Sequence, residues 1–467
     1  MQIMLKTLLL NPPSKIRCAR VLHRGFVGDL SYVWPPVDLI YLGGILKNFG
    51  IDFSFRDYQS EKLEPLDDLL FDEKYDVVIS TYSSFIEQED LLTLSAVKKV
   101  LPESQLLLLA THADRMDTIH IKKLLASNPF VDALIYDFAN NECVEFLTGE
   151  KTKSYKNIFY LSGNELFGDI SHLPLTVSLP IPDHNKFRSK NYFHYDGQNG
   201  DLATIMGSFG CKMPCKFCWG PDIYPKVTMR DPINLVDEIE SIVEKGFKEI
   251  YFHDYTFAYR KNEGKNFCRE LINRQIKVRW YCSARIDLMD EELISLMAKS
   301  GCKCIEFGIE SGNYDVRKKY GKNFKDEVIE KAVEFCKSQG IHVSIFVILG
   351  LPEEDLELMH KSVKFVESLN IDYVAYNILW VEPKTSLMQT MGELVKEVDP
   401  HDSMNYLNFK HPSLTQQDII DFKNKCNRSF YLRPRVIIRH LIRMLSLKKL
   451  TITLHAVKKL FFRKVAN

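Results

Sequence analysis

The stretch Gly210-Cys211-Lys212-Met213-Pro214-Cys215-Lys216-Phe217-Cys218-Trp219 constrains this chain more than any other. Three cysteines fall within eight residues, spaced C-x3-C-x2-C. Thiolates are the ligands that iron–sulfur clusters use, and a [4Fe–4S] cubane has one more iron than this run has sulfurs. The fourth iron is then either held by a distant residue or left open to a small molecule. Structural zinc is the competing reading. It asks for a fourth Cys or His at a second short-spaced pair, and no such pair stands nearby. Reduced structural thiols are the third. An apolar, strand-like run at 202–206 and Gly207 lead into the loop, and Pro214 stiffens its centre.

The spacing, with aromatic Phe217 inside it, resembles the signature of the radical S-adenosylmethionine (radical SAM) superfamily. That resemblance implies a [4Fe–4S] cluster on Cys211, Cys215 and Cys218, with the open iron binding the amino and carboxylate groups of SAM. It implies that electron transfer from the cluster cleaves SAM to a 5′-deoxyadenosyl radical.

The chain has 467 residues, enough for two to four domains. Its 61 basic and 61 acidic residues cancel, so no global field toward nucleic acid is expected. The eleven cysteines are scattered apart from the central run. With no signal-peptide pattern at the start, they read as thiols of a reducing cytosol. No stretch reaches the ~20 apolar residues that span a bilayer.

Residues 1–150 read as an α/β domain. Short apolar strands are expected at 4–10, 51–56, 76–81, 105–110 and 131–136, with helices at 37–48 and 142–147. Such alternation means βαβ units and a doubly wound, Rossmann-like parallel sheet. Leu8-Leu9-Leu10-Asn11-Pro12-Pro13-Ser14, Trp34-Pro35-Pro36 and Tyr41-Leu42-Gly43-Gly44 resemble the N-terminal domain of the cobalamin (B12)-binding radical SAM class. The resemblance implies cobalamin as a further cofactor. Asn11-Pro12-Pro13 stands where an Asp-x-His-x-x-Gly loop would supply a cobalt ligand, so no histidine is expected on cobalt. His112, in Ala110-Thr111-His112, reads as a loop histidine. Residues 151–200 read as a linker with a small strand at 158–161.

Residues 201–390 carry six βα units, with strands near 202–208, 249–253, 278–283, 304–309, 342–349 and 373–379. Helices are expected at 234–245, 264–274, 291–299, 326–338 and 353–368. This matches the partial (β/α)6 barrel of radical SAM proteins, in which function gathers at C-terminal strand ends. The polar exceptions fall there. Asp254 follows the second strand, and the resemblance assigns it the SAM amino group; a loop cap is the alternative. Arg285 follows the third and is assigned the SAM carboxylate, with an ion pair to Asp287 or Asp254 as the alternative. Gly308-Ile309-Glu310-Ser311-Gly312 ends the fourth, with Glu310 toward ribose hydroxyls and Ser311 beside it. Leu349-Gly350-Leu351-Pro352-Glu353-Glu354 resembles the family's Gly-x-Pro-Gly-Glu turn, with Glu353 where Gly is frequent. Phe217, Asp254, Arg285, Glu310 and Ser311 are thus the expected cofactor contacts. Cys268, Cys282, Cys302 and Cys304 read as buried free thiols.

Residues 391–467 read as a mostly helical region. Phe430-Tyr431-Leu432-Arg433-Pro434-Arg435 resembles an element that closes many B12-type radical SAM proteins. From Pro434 to the C-terminal Asn467 there is no Asp or Glu. Ile437, Leu441, Met444 and Leu445 form a stripe expected to face the barrel, with the charges solvated. Leu454, Val457, Leu460 and Phe461 repeat the pattern, a basic amphipathic segment fit to lie on anionic lipid. The expected activity is methylation of an unactivated carbon of a small or lipid-like substrate, with an electron donor such as flavodoxin or ferredoxin. The alternatives are radical cyclisation, dehydrogenation or rearrangement without cobalamin, and a non-catalytic iron–sulfur or zinc protein. A cytoplasmic location, with peripheral membrane contact through the tail, completes the expectation.

Overall fold

The computed structural model describes residues 5–15, 18–20, 26–27, 34–60, 73–110, 116–139, 141–149, 151–198, 201–223, 226–396 and 407–443. They form two compact units, one of residues 1–194, 200–211 and 222–254, the other of 195–199, 212–221 and 255–467.

The first unit is built on a seven-stranded sheet. Phe53–Asp57, Thr7–Asn11, Val77–Tyr82, Gln105–Ala110 and Ala133–Ile135 lie side by side in parallel, in that order. Ile158–Ser162 and Glu165–Phe167 extend it in antiparallel fashion. Leu8, Leu9 and Leu10 are wholly buried, as expected for a parallel strand covered on both faces. The parallel strands run 2-1-3-4-5, the flavodoxin-like order, whose switch point lies between the first and third strands. The strand at 158 thus belongs to this sheet rather than to a free linker.

Helix Val37–Asn48 is buried along ten of its twelve residues. Its glycine pair exists for close approach: a Cβ on Gly43 would meet the Phe53 ring at 2.7 Å, and one on Gly44 would come within 3.1 Å of the Pro180 carbonyl. The Pro180-Ile181-Pro182 stretch therefore serves packing against that helix.

At the sheet's switch point the polar groups satisfy one another. Asn11 donates to Asp57 at 2.8 Å and accepts from Thr81 at 3.0 Å. Arg20, fully buried, pairs with Asp90 at 2.6 Å and donates to the Pro12 carbonyl at 2.8 Å. His112 lies outside the described residues.

The same unit holds two parallel strands, Leu202–Ile205 and Glu249–Phe252. Between them runs Pro232–Glu244, capped by Asp231 and with Pro at its first position. Tyr41 ties this region together. Its hydroxyl accepts from the Met206 N–H at 2.9 Å and from Arg230 at 2.9 Å, and it lies 3.3 Å from a Glu238 oxygen.

The second unit carries four parallel strands, Arg279–Ala284, Cys302–Glu310, His342–Leu349 and Tyr373–Ile378. With the two of the first unit these make up the six expected. Helices Glu291–Lys299 and Asp326–Ser338 fall on the expected residues and are followed by left-handed Gly301 and Gly340. One helix starts later than expected. It spans Leu356–Ser368, capped by Asp355, because Glu354 turns inward and its N–H donates to the Leu351 carbonyl.

The C-terminal helices correct another expectation. Pro434–Arg443 docks through its cations, not its apolar stripe. Arg433 and Arg435 donate to the Glu367 carbonyl, and Arg439 to the Ile371 carbonyl and Asp372. Exposed carbonyls at the end of helix Leu356–Ser368 are the reason: a guanidinium satisfies them where an alkyl group cannot. Val436 is buried, while Ile438 and Leu441 are 56% exposed. The second amphipathic segment, beyond residue 443, lies outside the described residues. No helix among the described residues is long and apolar enough to cross a membrane.

Tyr41→Phe removes the acceptor of the buried Met206 N–H. Unfolding free energy should fall by about 1–3 kcal/mol, read by denaturant unfolding of the full chain; an unchanged midpoint would show that the network contributes nothing.

Candidate active site

The unit boundary passes through the cysteine loop, between Cys211 and Lys212. Cys211 is 8% exposed, while Cys215 and Cys218 are half-buried. Two donors reach the loop's sulfurs. Arg285 Nη1 lies 3.2 Å from Cys215 Sγ, and the Gly220 N–H donates to Cys218 Sγ at 3.3 Å. No group of three or more His, Cys, Asp or Glu side chains among the described residues stands ready to hold a metal. The loop thus offers three sulfurs with donors beside two of them; a cubane takes one sulfur on each of separate irons, so they need not converge on a single ion. Phe217 is half-buried, its ring 6.4 Å from that of Tyr320.

In the first unit, the strand Glu249–Phe252 delivers Asp254 to its C-terminal end. Asp254 is 2% exposed, and accepts from the Gly207 N–H at 2.7 Å and from Ser208 Oγ at 2.6 Å. Burial lifts its carboxyl to about 6 against those hydrogen bonds. The Ser208 N–H also donates to it, and a carboxylate has about four lone-pair sites, so three of them are engaged within the protein. Asp254 is also the anchor of the Gly207-Ser208 turn that leads into the cysteine loop.

In the second unit, Arg285 sits past the end of Arg279–Ala284, its N–H bonded to Thr256 Oγ1. Its guanidinium holds Asp287 through Nε at 3.0 Å and Nη2 at 2.9 Å. The fork expected to clasp a carboxylate already clasps this one.

Cys302–Glu310 ends in an irregularity: its register with the next strand shifts between Gly308 and Glu310, and Glu310 is left-handed, φ 66°. A non-glycine residue there is strained, and such strain gathers at functional sites. Glu310 is held by Lys322, Nζ to Oε1 at 2.9 Å, and that ammonium also donates to the Gly308 carbonyl at 2.6 Å. A Cβ on Gly308 would strike both the Glu310 carboxylate and Lys322 Nζ, so glycine is required by the ion pair itself. Burial works against the Lys322 charge, but Glu310 and then Cys215 hold its pKa above the ordinary lysine range.

Ser311 is fully buried, its hydroxyl 2.9 Å from Glu354 Oε1 and 2.8 Å from Ser362 Oγ. It stands as a bracket behind the strand end. Lys322, Tyr320 and Gly321 escaped sequence reasoning. The signal available was a cation and a glycine soon after the Gly308–Gly312 run, but lysines are frequent there and none stands out.

Residues 205–366 match the family model described as the Radical SAM superfamily. Over 93% of this chain and 94% of the relative, the sequence is 26% identical to an uncharacterized methyltransferase of Pyrococcus horikoshii. The fold resembles that of the radical S-adenosylmethionine methyltransferase TsrM from Kitasatospora setae, solved with cobalamin and a [4Fe–4S] cluster bound. There the TM-score is 0.63 and the identity 17%, over 84% of this chain and 79% of that one. It also resembles OxsB, a cobalamin-dependent S-adenosylmethionine radical enzyme solved with aqua-cobalamin and S-adenosylmethionine, at TM-score 0.68 and 14% identity, over 98% and 71% of the two chains. Residues 205–366 of this chain thus carry a radical SAM domain.

Glu354 titrates in a useful range. Burial raises its carboxyl to about 7 despite the bonds from Ser311, Leu351 and Ser362. The folded value lies above the unfolded one, so the folded state holds the proton longer and stability falls as pH rises from about 4.5 to 7. Glu354→Gln should match the parent near pH 5 and exceed it near pH 8 by about 1–3 kcal/mol. Parallel stability–pH curves for the two proteins would contradict this.

Proposed function

We propose that this chain is a radical SAM enzyme that uses cobalamin to methylate an unactivated carbon of a small molecule. In this reading residues 201–390 hold the [4Fe–4S] cluster and SAM, and residues 1–150 hold cobalamin. When bound, the cluster supplies an electron that cleaves SAM to an organic radical, and cobalamin supplies a methyl carrier.

The chain's own residues have distinct tasks. Cys211, Cys215 and Cys218 bind the cluster. Arg285 and Gly220 supply donors to sulfurs of Cys215 and Cys218. Asp254 accepts from the ammonium of SAM while it holds Gly207 and Ser208. Glu310 accepts from ribose hydroxyls, and the cations Lys322 and Arg285 meet the carboxylate. Buried Asp254, Lys322 and Glu310, each under 10% exposed, hold these contacts away from water, where they are stronger.

The observation that carries the reading is the buried Glu310–Lys322 pair on a strained strand end, inside the segment that matches the superfamily. A scaffold for partner binding has no need of it. For cobalamin the support is the likeness to two cobalamin-bound structures and the 2-1-3-4-5 sheet. Asn11 stands at the end of the first strand, engaged by Asp57 and Thr81, so no imidazole from that position is expected on cobalt.

Anaerobic reconstitution with iron, sulfide and cobalamin tests both cofactors. About four irons per chain and one corrinoid are expected, with no histidine-nitrogen splitting in the paramagnetic resonance spectrum of the cob(II)alamin form. Cys215→Ala should lose the cluster and keep the corrinoid. A full cluster in that variant would refute the ligand assignment; no corrinoid on the parent would move the reaction to SAM-only radical chemistry.

A further inference from the structure

We infer that the turn Tyr320-Gly321-Lys322, braced by Glu353, is the positioning element that fixes the shape of the cysteine loop. The inference rests on the cluster reading above. All of its parts lie in the second unit.

The contact begins at backbone level. Gly321 is left-handed, φ 84°, and a Cβ there would overlap the Pro214 carbonyl oxygen and come within 3.2 Å of the Cys215 nitrogen. No side chain fits between this turn and the loop. The Lys216 N–H then donates to the Tyr320 carbonyl at 3.3 Å, and the Lys216 carbonyl accepts from the Leu387 N–H at 2.9 Å. The segment between Cys215 and Cys218 is thus gripped on both its N–H and its carbonyl.

The turn is itself held rigid. It closes helix Tyr314–Lys319, with the Gly321 N–H donating to the Lys318 carbonyl at 3.1 Å and the Lys322 N–H to the Arg317 carbonyl at 2.9 Å. A left-handed glycine is what such a helix end requires. The Tyr320 hydroxyl donates to Glu353 Oε2 at 2.6 Å, and Lys319 pairs with the other Glu353 oxygen. Glu353 is the residue that departs from the family-like turn, and this brace gives it a purpose. Lys322, the last residue of the turn, holds Glu310. One rigid turn therefore links the backbone carrying two cluster cysteines to the carboxylate assigned to ribose.

The test uses the full chain, reconstituted anaerobically as parent, Gly321→Ala, Glu353→Ala and Glu353→Gln. Iron per chain and the paramagnetic resonance of the reduced cluster are read before and after SAM is added, beside thermal unfolding. Gly321→Ala should lose iron affinity, and Glu353→Ala should weaken the SAM-induced spectral change, each by about 10–100-fold. Glu353→Gln still accepts from Tyr320 and should recover the parent signature, which a merely destabilised fold would not explain. Parent-like iron content and spectra in both Gly321→Ala and Glu353→Ala overturn the inference. Should Gly321→Ala fail to fold, the Glu353 pair decides alone. If the parent itself takes up no iron, the cluster reading falls, and the brace with it.

Discussion

A carboxylate taken out of water needs a cation, and at the end of strand Cys302–Glu310 that cation is Lys322. Removing one partner of such a buried pair leaves an uncompensated charge, worth several kcal/mol. The pair sets its surroundings. It demands glycine at 308, because a Cβ would occupy the space of both charged groups. It sits with Glu310 in a left-handed conformation, which the shift in register between Gly308 and Glu310 accompanies. It also ties the strand end to the turn at Tyr320–Lys322, and so to the cysteine loop against which Gly321 lies.

The chemistry follows from this arrangement of charge. Arg285 touches both Asp287 and Cys215, so it joins a carboxylate to a sulfur rather than waiting as a free fork. Lys322 carries a second positive charge that Cys215 helps to hold. Two cations thus face one sulfur of the C-x3-C-x2-C run. Cys268 and Cys143 are wholly enclosed, and burial pushes each up to about 12.

What could be read from the sequence was what is encoded locally. The C-x3-C-x2-C spacing needs no tertiary knowledge, and the strand ends that carry Asp254, Arg285 and Glu310 follow from apolar runs broken by polar residues. The helices Glu291–Lys299 and Asp326–Ser338 were legible for the same reason. Pairings across long separations were not. Nothing in the sequence links Tyr320 to Glu353 or Tyr41 to Met206. The tail misled because amphipathicity says which faces differ and not which is buried: Arg435 and Arg439 found carbonyls at Glu367 and Ile371, and Ile438 and Leu441 were left outside. Nor could the bonds of Ser311 to Glu354 and Ser362 be read from the sequence.

The central claim is that these residues exist to cleave SAM. The direct measurement is 5′-deoxyadenosine released when the reconstituted protein is incubated anaerobically with SAM and a strong reductant. The account predicts 5′-deoxyadenosine from the parent and its loss in Cys218→Ala. A protein that assembles a full cluster, binds SAM and yet releases no 5′-deoxyadenosine would contradict it.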